Sequence, residues 1–331
     1  MLNTYSVSSI DGKEIDRPIM VVPELLPVGL TVLAGQPKLG KSWLALLLCC
    51  CVAEQKPFLG RQTYEGDVLY LDLEGSQYRM QDRLSQLGYG FPVNMSVAHE
   101  APRMGAGFME ALESWWAMAS LPRLIVIDTL ARIKGQGKRG FNAYESDSEM
   151  FGPLQKFAIE KGIAVVIVTH LKKTSGFFGA EDDWLERISG SMGLIGVSDN
   201  VWGLFRKRGE DTAYLRTSSR DVAAGDMVLK FNNGLWEFVS DDIDGYEFGA
   251  SPLVRFLKSI KGFHKGSATE LCDQYRAFCE DNKLSHGLSD AQPITSFGKQ
   301  VKAVQGNLWR IGKSLISERK RDGIHYTISD F

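Results

Sequence analysis

Residues 31–51, TVLAGQPKLGKSWLALLLCCC, join a β-favouring run to a glycine-bounded loop and then to an apolar stretch that climbs through Leu44 to Cys51. A loop of the form G-x-x-x-x-G-K-S between a strand and a helix restricts the chain to α/β folds in which a strand opens onto a helix N-terminus. Gly35 and Gly40 permit backbone angles that aim successive N–H groups inward, and the helix that follows adds its partial positive charge. Such a cradle takes a chain of phosphates. Lys41 would reach the β- and γ-phosphates, the Ser42 hydroxyl would ligate Mg²⁺, and Gly35, Gln36, Pro37, Lys38, Leu39, Gly40, Lys41, Ser42 and Trp43 form the expected binding loop. ATP or GTP with Mg²⁺ follows from this loop, but the use of the nucleotide does not.

From Met20 onward, apolar runs alternate with helical stretches: TVLAG and a helix from Lys41, DVLYLDLEG and a helix through Arg83 and Leu87, LIVIDTL and a helix near Met150 to Lys161, then GIAVVIVTH. Strands separated by helices predict a mostly parallel sheet covered on both faces, and the near-continuous hydrophobicity of the strands says the same. After residue 191 the pattern changes to strands joined by turns near 208–211 and 232–234, which predicts an antiparallel extension of the sheet. The acidic stretch SDDIDGYEFGAS reads as a linker over 241–251, between a domain at 20–240 and a smaller one at 252–331, with 1–19 as an N-terminal segment.

Five cysteines, three of them adjacent at Cys49, Cys50 and Cys51, show neither metal-ligand spacing nor a disulfide framework and read as helix core. The apolar run from Leu44 is too short to span a bilayer, and the first residues lack the regions of a signal peptide; the expectation is a cytoplasmic protein. The net charge of -2 is unevenly spread. Residues 251–331 carry 13 Lys and Arg against 8 Asp and Glu, net +5, on a body with 25 against 32, net -7. A basic tail domain points weakly to a polyanion.

Around the loop, three more positions carry chemistry. Asp128 ends the apolar strand LIVIDTL, where a carboxylate holds Mg²⁺. In LYLDLEG the period of two puts Tyr70, Asp72 and Glu74 on one face. Glu74, where strand becomes loop, can activate water for attack on the γ-phosphate, provided this strand neighbours the one that feeds the loop. The competing assignment makes Asp72 the acid and Glu74 a helix-start charge. His170 ends the last apolar strand, at a place from which it could sense the γ-phosphate.

The order of AGQPKLGKS, YLDLEGS, VIDTLAR, VTHLKK, ISGSMGLIGVSDNVW and SSRDV resembles the RecA-like P-loop ATPases, most closely the RepA-type hexameric replicative helicases of plasmids and phages, over residues 20–240. The resemblance implies a RecA-like core with ATP and Mg²⁺ as cofactors, Lys41 and Ser42 on phosphate and metal, Glu74 as catalytic base, Asp128 on the metal and His170 as sensor. It also implies that Ser189 and Ser191 open a segment following a DNA-facing loop. Family members work as rings with nucleotide between subunits, which implies a homo-oligomer and a basic residue reaching in from a neighbour. Arg220 is the choice for that finger, with Arg216 and Arg206 as alternatives, and a surface pairing of Arg220 with Asp221 as the competing structural role. Two loops mix basic residues, glycines and aromatics, the combination that tracks single-stranded DNA. They are 131–144, with Lys134, Lys138 and Arg139, and 171–184, with Lys172 and Lys173; Glu181, Asp182 and Asp183 oppose phosphate in the second.

The tail reads as three helices, PLVRFLKSI, SATELCDQYRAFCEDN and ITSFGKQVKAV, followed by a basic hairpin around ERKRDGIHYTI. This pattern resembles the C-terminal winged-helix-like module of phage and poxvirus primase-helicases. Lys299, Lys302, Arg310 and Lys313 would face DNA, with Arg319, Lys320 and Arg321 in the wing; docking of a protein such as an initiator or primase is the rival role. Two functions compete. One is an ATP-driven helicase translocating on single-stranded DNA, the other a non-translocating DNA-binding ATPase that loads or regulates. Glu74 favours the motor, since a pure switch has less need of a water-activating base. A metabolic kinase is disfavoured because a DNA-binding type of tail has no role in it.

Overall fold

The computed structural model describes residues 5–12, 20–135, 142–171, 184–188, 192–206 and 209–330. The chain divides into two units, Met1–Asp241 and Asp242–Phe331.

In the first unit the elements run β1 (Gly29–Gly35), α1 (Lys41–Ala53), β2 (Asp67–Asp72), α2 (Gln77–Leu87), β3 (Met95–Ala98), α3 (Phe108–Met118), β4 (Pro122–Asp128), α4 (Leu130–Ile133), α5 (Ala143–Lys161), β5 (Ala164–His170) and α6 (Met192–Val197). Then follow β6 (Asn200–Arg206), β7 (Thr212–Ser219), β8 (Gly225–Asn232) and β9 (Leu235–Ser240). They form one nine-stranded sheet ordered β3-β2-β4-β5-β1-β6-β7-β8-β9. Pairing is parallel from β3 through β6 and antiparallel from β7 to β9. The expected α/β core with an antiparallel extension is therefore present, with the switch of direction at β7.

The strands lack a polar alternation because each face has its own core. Leu33, Val68, Val126, Val166 and Val168 pack under α1 and α2. Their neighbours Val32, Leu69, Ile125, Ile127 and Ile167 pack on the other side with α3 and α5. Successive side chains point to opposite faces, so a sheet covered twice needs apolar residues at every position. Cys49, Cys50 and Cys51 are fully buried in α1 as plain core, and burial raises all three thiols, to about 12 for Cys50 and about 11 for Cys51.

Three features differ from the expectation. The segment between α2 and β4 holds a strand and a helix, β3 and α3; β3 is a short edge strand with two exposed residues, which gave little apolar signal. β2 is not a neighbour of β1, since β4 and β5 stand between them. The stretch 241–251 carries α7 (Ile243–Ala250), which belongs to the second unit.

That unit continues with α8 (Pro252–Ser259), β10 (His264–Ser267), α9 (Ala268–Asp281), α10 (Pro293–Gln305), β11 (Lys313–Lys320) and β12 (Gly323–Asp330). β10-β12-β11 is a three-stranded antiparallel sheet. The helix starting after Ser267 is fixed by a capping box in which Ser267 Oγ accepts from Glu270 N and Glu270 accepts from Ser267 N. The core of this unit gathers Leu253, Leu257, Leu271, Tyr275, Phe297 and Ile328. No helix among the described residues is long and apolar enough to cross a membrane.

Candidate active site

The parallel strands point their C-terminal ends to one side, and β1 there hands the chain to the loop that opens α1. Only glycine fits at its first position. A Cβ on Gly35 would lie 2.8 Å from the Leu204 carbonyl oxygen and 3.1 Å from Lys41 Cδ. At the last position Gly40 has φ of 95°, a left-handed conformation that suits glycine. The Trp236 indole of β9 donates to the Gly40 carbonyl at 3.0 Å, so the antiparallel extension braces the loop.

Lys41 is 5% exposed. Its Nζ donates to the carbonyl oxygens of Gly35 at 2.8 Å and Gln36 at 2.9 Å, and lies 3.2 Å from His170 Nδ1. Burial pulls its pKa down from 10.5 to about 8, against the opposing pull of Asp128 and Glu74. The His170 imidazole is lowered by burial and then by the Lys41 charge, which favours the neutral ring whose Nδ1 accepts from Lys41. The loop thus holds the lysine charge ready at the mouth of a cavity of about 420 Å³.

Ser42, Glu74, Asp128 and His170 line that same cavity with Lys41. Asp128 ends β4 and is 6% exposed, and its Oδ2 accepts from the Tyr70 hydroxyl at 3.0 Å. Glu74 sits two residues beyond β2, in a turn where Gly75 N donates to the Asp72 carbonyl at 3.2 Å. It reaches the cavity across the end of β4, without the strand adjacency the sequence reading required. Its side chain is 50% exposed and pairs with Arg132 at 3.4 Å. Asp72, the rival acid, is 3% exposed, is held above its ordinary range by burial first, and lies outside the cavity lining.

The donor set suits a hard cation. A hydroxyl at Ser42 and a carboxylate at Asp128 are oxygen ligands of the kind Mg²⁺ takes, with phosphate oxygens and water completing its shell. No group of three His, Cys, Asp or Glu among the described residues could hold a metal by itself, as is usual where the ion arrives with a nucleotide.

Arg220 lies elsewhere. β6 runs parallel to β1, with Gly35 paired to Leu204, whereas antiparallel β7 pairs its last residue, Ser219, with Asn200 at the start of β6. Arg220 is therefore at the opposite end of the sheet from Lys41, about 20 Å away along strands of this length. Its guanidinium is 3.6 Å from Asp199 Oδ1 and donates to the Gly196 carbonyl at 2.6 Å, so its ion-pair partner is Asp199 and not the Asp221 that the sequence suggested. Arg216 pairs with Asp226 at 3.4 Å. Arg206, at the loop's end of the sheet, stacks over Phe231 at 4.6 Å and Trp236 at 5.8 Å.

Of the residues expected on DNA, Lys134 is paired with buried Asp147 at 2.7 Å. Lys138, Arg139, Lys172 and Lys173 lie outside the described residues, as do Glu181, Asp182, Asp183, Ser189 and Ser191. Lys299 and Lys302 on α10 and Arg319, Lys320 and Arg321 at the β11–β12 turn are exposed. Arg310 pairs with Asp242 at 3.4 Å. Lys313 corrects the sequence reading: it is 3% exposed and its ammonium is taken by Asp330 and the Ile260 carbonyl, so it braces the second unit's core and does not face a ligand.

Sequence reasoning passed over four site residues. Arg83 on α2 lines the cavity with its guanidinium 5.2 Å from the Trp43 ring; a single arginine on an amphipathic helix reads as a solvated face, and only its position one helix after Glu74 hinted otherwise. Thr129 and Phe231 also line the cavity, and Trp236 braces its loop.

The profile of the AAA domain family matches residues 1–176, which covers β1 through β5 and every cavity residue except Phe231. The chain belongs to the AAA domain family. Among curated proteins none matches it significantly. Similar solved structures include the ATPase domain of G40P, at 15% identity and TM-score 0.50, covering 64% of this chain and 85% of that one. Another is a DnaB-like replicative helicase described with its interactions with primase, at 16% identity and TM-score 0.49, covering 64% of this chain and 58% of that one. The first likeness is one of fold, and it bears out the RecA-like core of this AAA-domain protein.

Proposed function

We propose that this AAA-domain protein is an ATP-driven DNA motor, a ring-forming replicative helicase of the plasmid or phage type that moves along single-stranded DNA. The observation that carries the reading is the convergence of Lys41, Ser42, Glu74, Asp128 and His170 on one cavity. Backbone N–H groups of the loop and the Lys41 ammonium bind and orient the phosphates. Mg²⁺, when bound with the nucleotide through Ser42 and Asp128, neutralises charge on the phosphates. The Glu74 carboxylate orients a water and takes its proton as the water attacks the γ-phosphorus; the bond from that phosphorus to the β–γ bridging oxygen breaks, releasing ADP and inorganic phosphate. His170, bonded to Lys41, reports loss of the γ-phosphate to the loop that follows it.

Charge developing on the transferred phosphoryl calls for a further cation. Arg220 supplies it from a neighbouring subunit in this proposal, because its own strand carries it away from the cavity in its own chain. The subunits would then meet head to tail and close into a ring, a hexamer by resemblance. The second unit, with the four helices α7 to α10 ahead of a basic hairpin, is assigned as a winged-helix-like DNA module, and initiator or primase docking is its rival role. The loops around Lys134 and Lys172 line the DNA channel in this reading.

Strand separation on a forked duplex tests the motor. The expected result is unwinding that requires ATP and is lost in Lys41→Ala; ATP hydrolysis without unwinding or translocation on either tail polarity overturns the motor in favour of a loader or regulator. Deleting residues 242–331 should weaken DNA binding and flatten its salt dependence. Unchanged binding would make the second unit a protein-docking module.

A further inference from the structure

Tyr70 carries a hydroxyl into the driest part of the sheet. It is 0% exposed beneath α1, in the same apolar core as Leu44, Cys49 and Val126. Phenylalanine would fill that space equally well, and a buried hydroxyl costs free energy unless it is bonded. The bond it makes is to the site: Tyr70 Oη donates to Asp128 Oδ2 at 3.0 Å. β2 and β4 are parallel neighbours in which Tyr70 pairs with Val126, so the ring lies two residues below Asp128 and reaches up to it from underneath. The neighbouring carboxylate on the same strand, Asp72, has no such support, since its Oδ2 is buried without a hydrogen-bond partner.

We propose that Tyr70 is a positioning residue for the metal site, whose hydroxyl holds Asp128 Oδ2 on the core side and so presents Oδ1 toward the Mg²⁺ that accompanies the nucleotide. The phenol is suited to this. A tyrosine hydroxyl is a donor at neutral pH, and here its direction is fixed on Asp128 Oδ2 at 3.0 Å. A carboxylate that ligates a cation through one oxygen is commonly fixed by a hydrogen bond to the other, and removing such a partner typically costs about 10- to 100-fold in metal affinity or activity. Serine or water could bond Asp128 but would leave its rotation loose. A ring clamped by α1 does not.

The inference rests on the proposed use of the cavity for Mg²⁺-nucleotide, and its test does not depend on turnover. Binding of a fluorescent ATP analogue to the full-length chain is titrated with Mg²⁺ and repeated in EDTA, for wild type, Tyr70→Phe, Asp128→Asn and the double variant. Tyr70→Phe should raise the Mg²⁺ midpoint about 10-fold and leave affinity in EDTA unchanged. The double variant should lose no more than Asp128→Asn alone, since the two residues act through one bond. An unchanged midpoint in Tyr70→Phe, a double variant that loses the product of the two single effects, or a wild type whose nucleotide affinity ignores Mg²⁺ would each overturn the assignment. ATP hydrolysis measured in parallel judges the motor separately: a wild type that binds Mg²⁺-nucleotide with the expected midpoint shift but does not turn it over refutes the proposed hydrolase and leaves Tyr70 in place.

Discussion

The two ends of the nine-stranded sheet hold their charges in different ways. Where β1, β4 and β5 stop, Lys41 and Asp128 are 5% and 6% exposed and face one cavity together with Glu74 and His170. Where β7 stops, Arg220 is 56% exposed and leans on Asp199, itself pinned by the Leu30 N–H at 2.8 Å and by Gln155 at 3.0 Å. One end is a prearranged pocket lined by Lys38, Lys41 and Arg83 of its own chain. The other is a cation presented outward on a rigid support. Antiparallel β7 makes the separation unavoidable within one chain, which is why the proposed site closes only between two copies.

The largest effects should come from breaking either end. Arg220→Ala is expected to cut ATP turnover about 10³-fold or more while leaving nucleotide affinity within a factor of about two, because the proposed finger acts on charge that develops only as the phosphoryl group is transferred. Glu74→Gln should cut turnover about 10²- to 10⁴-fold with binding retained. Steady-state hydrolysis and nucleotide titration separate these outcomes from simple misfolding; a loss of binding in Arg220→Ala would mean that the far end supports the fold.

A smaller effect sharpens the pocket end. With a pKa of about 8 in the free chain, Lys41 binds phosphate in its charged form, so affinity should be flat below that pH and fall as the pH rises through it. The slope approaches about 10-fold per pH unit, since phosphate favours only the protonated state. Titrations between about pH 6.5 and 9.5 check this, and an ordinary exposed lysine would show no break until near 10.5. The least effect is expected from Trp236→Phe, which loses the indole bond to Gly40 and should cost about 1 kcal/mol in denaturant unfolding. Nucleotide affinity should weaken only about fivefold with it, a loss of the same size.

Much of the pocket end was legible because its chemistry is local. GQPKLGKS, Glu74, Asp128 and His170 each sit at the end of an apolar run, and strand ends are where a parallel sheet exposes side chains. Their meeting did not need the strand order, and the order assumed for β2 was in fact different. Arg83 and Phe231, which line the cavity, and Trp236, which braces its loop, were not legible, because their places depend on how separate elements pack together. Lys313 misled for the same reason: a lysine in a basic run reads as exposed, yet Asp330 and the Ile260 carbonyl draw it into the core. β3 escaped notice because an edge strand four residues long has no second apolar face to reveal it.

In the proposed ring, Glu74 of one copy works with Arg220 of the next. Mixing Glu74→Gln with Arg220→Ala chains, each nearly inactive alone, tests it. Random assortment in head-to-tail interfaces leaves one in four with both residues intact, so the equimolar mixture should recover about a quarter of wild-type turnover if sites act independently. A mixture that stays at the level of its two inactive components would contradict a site completed across subunits.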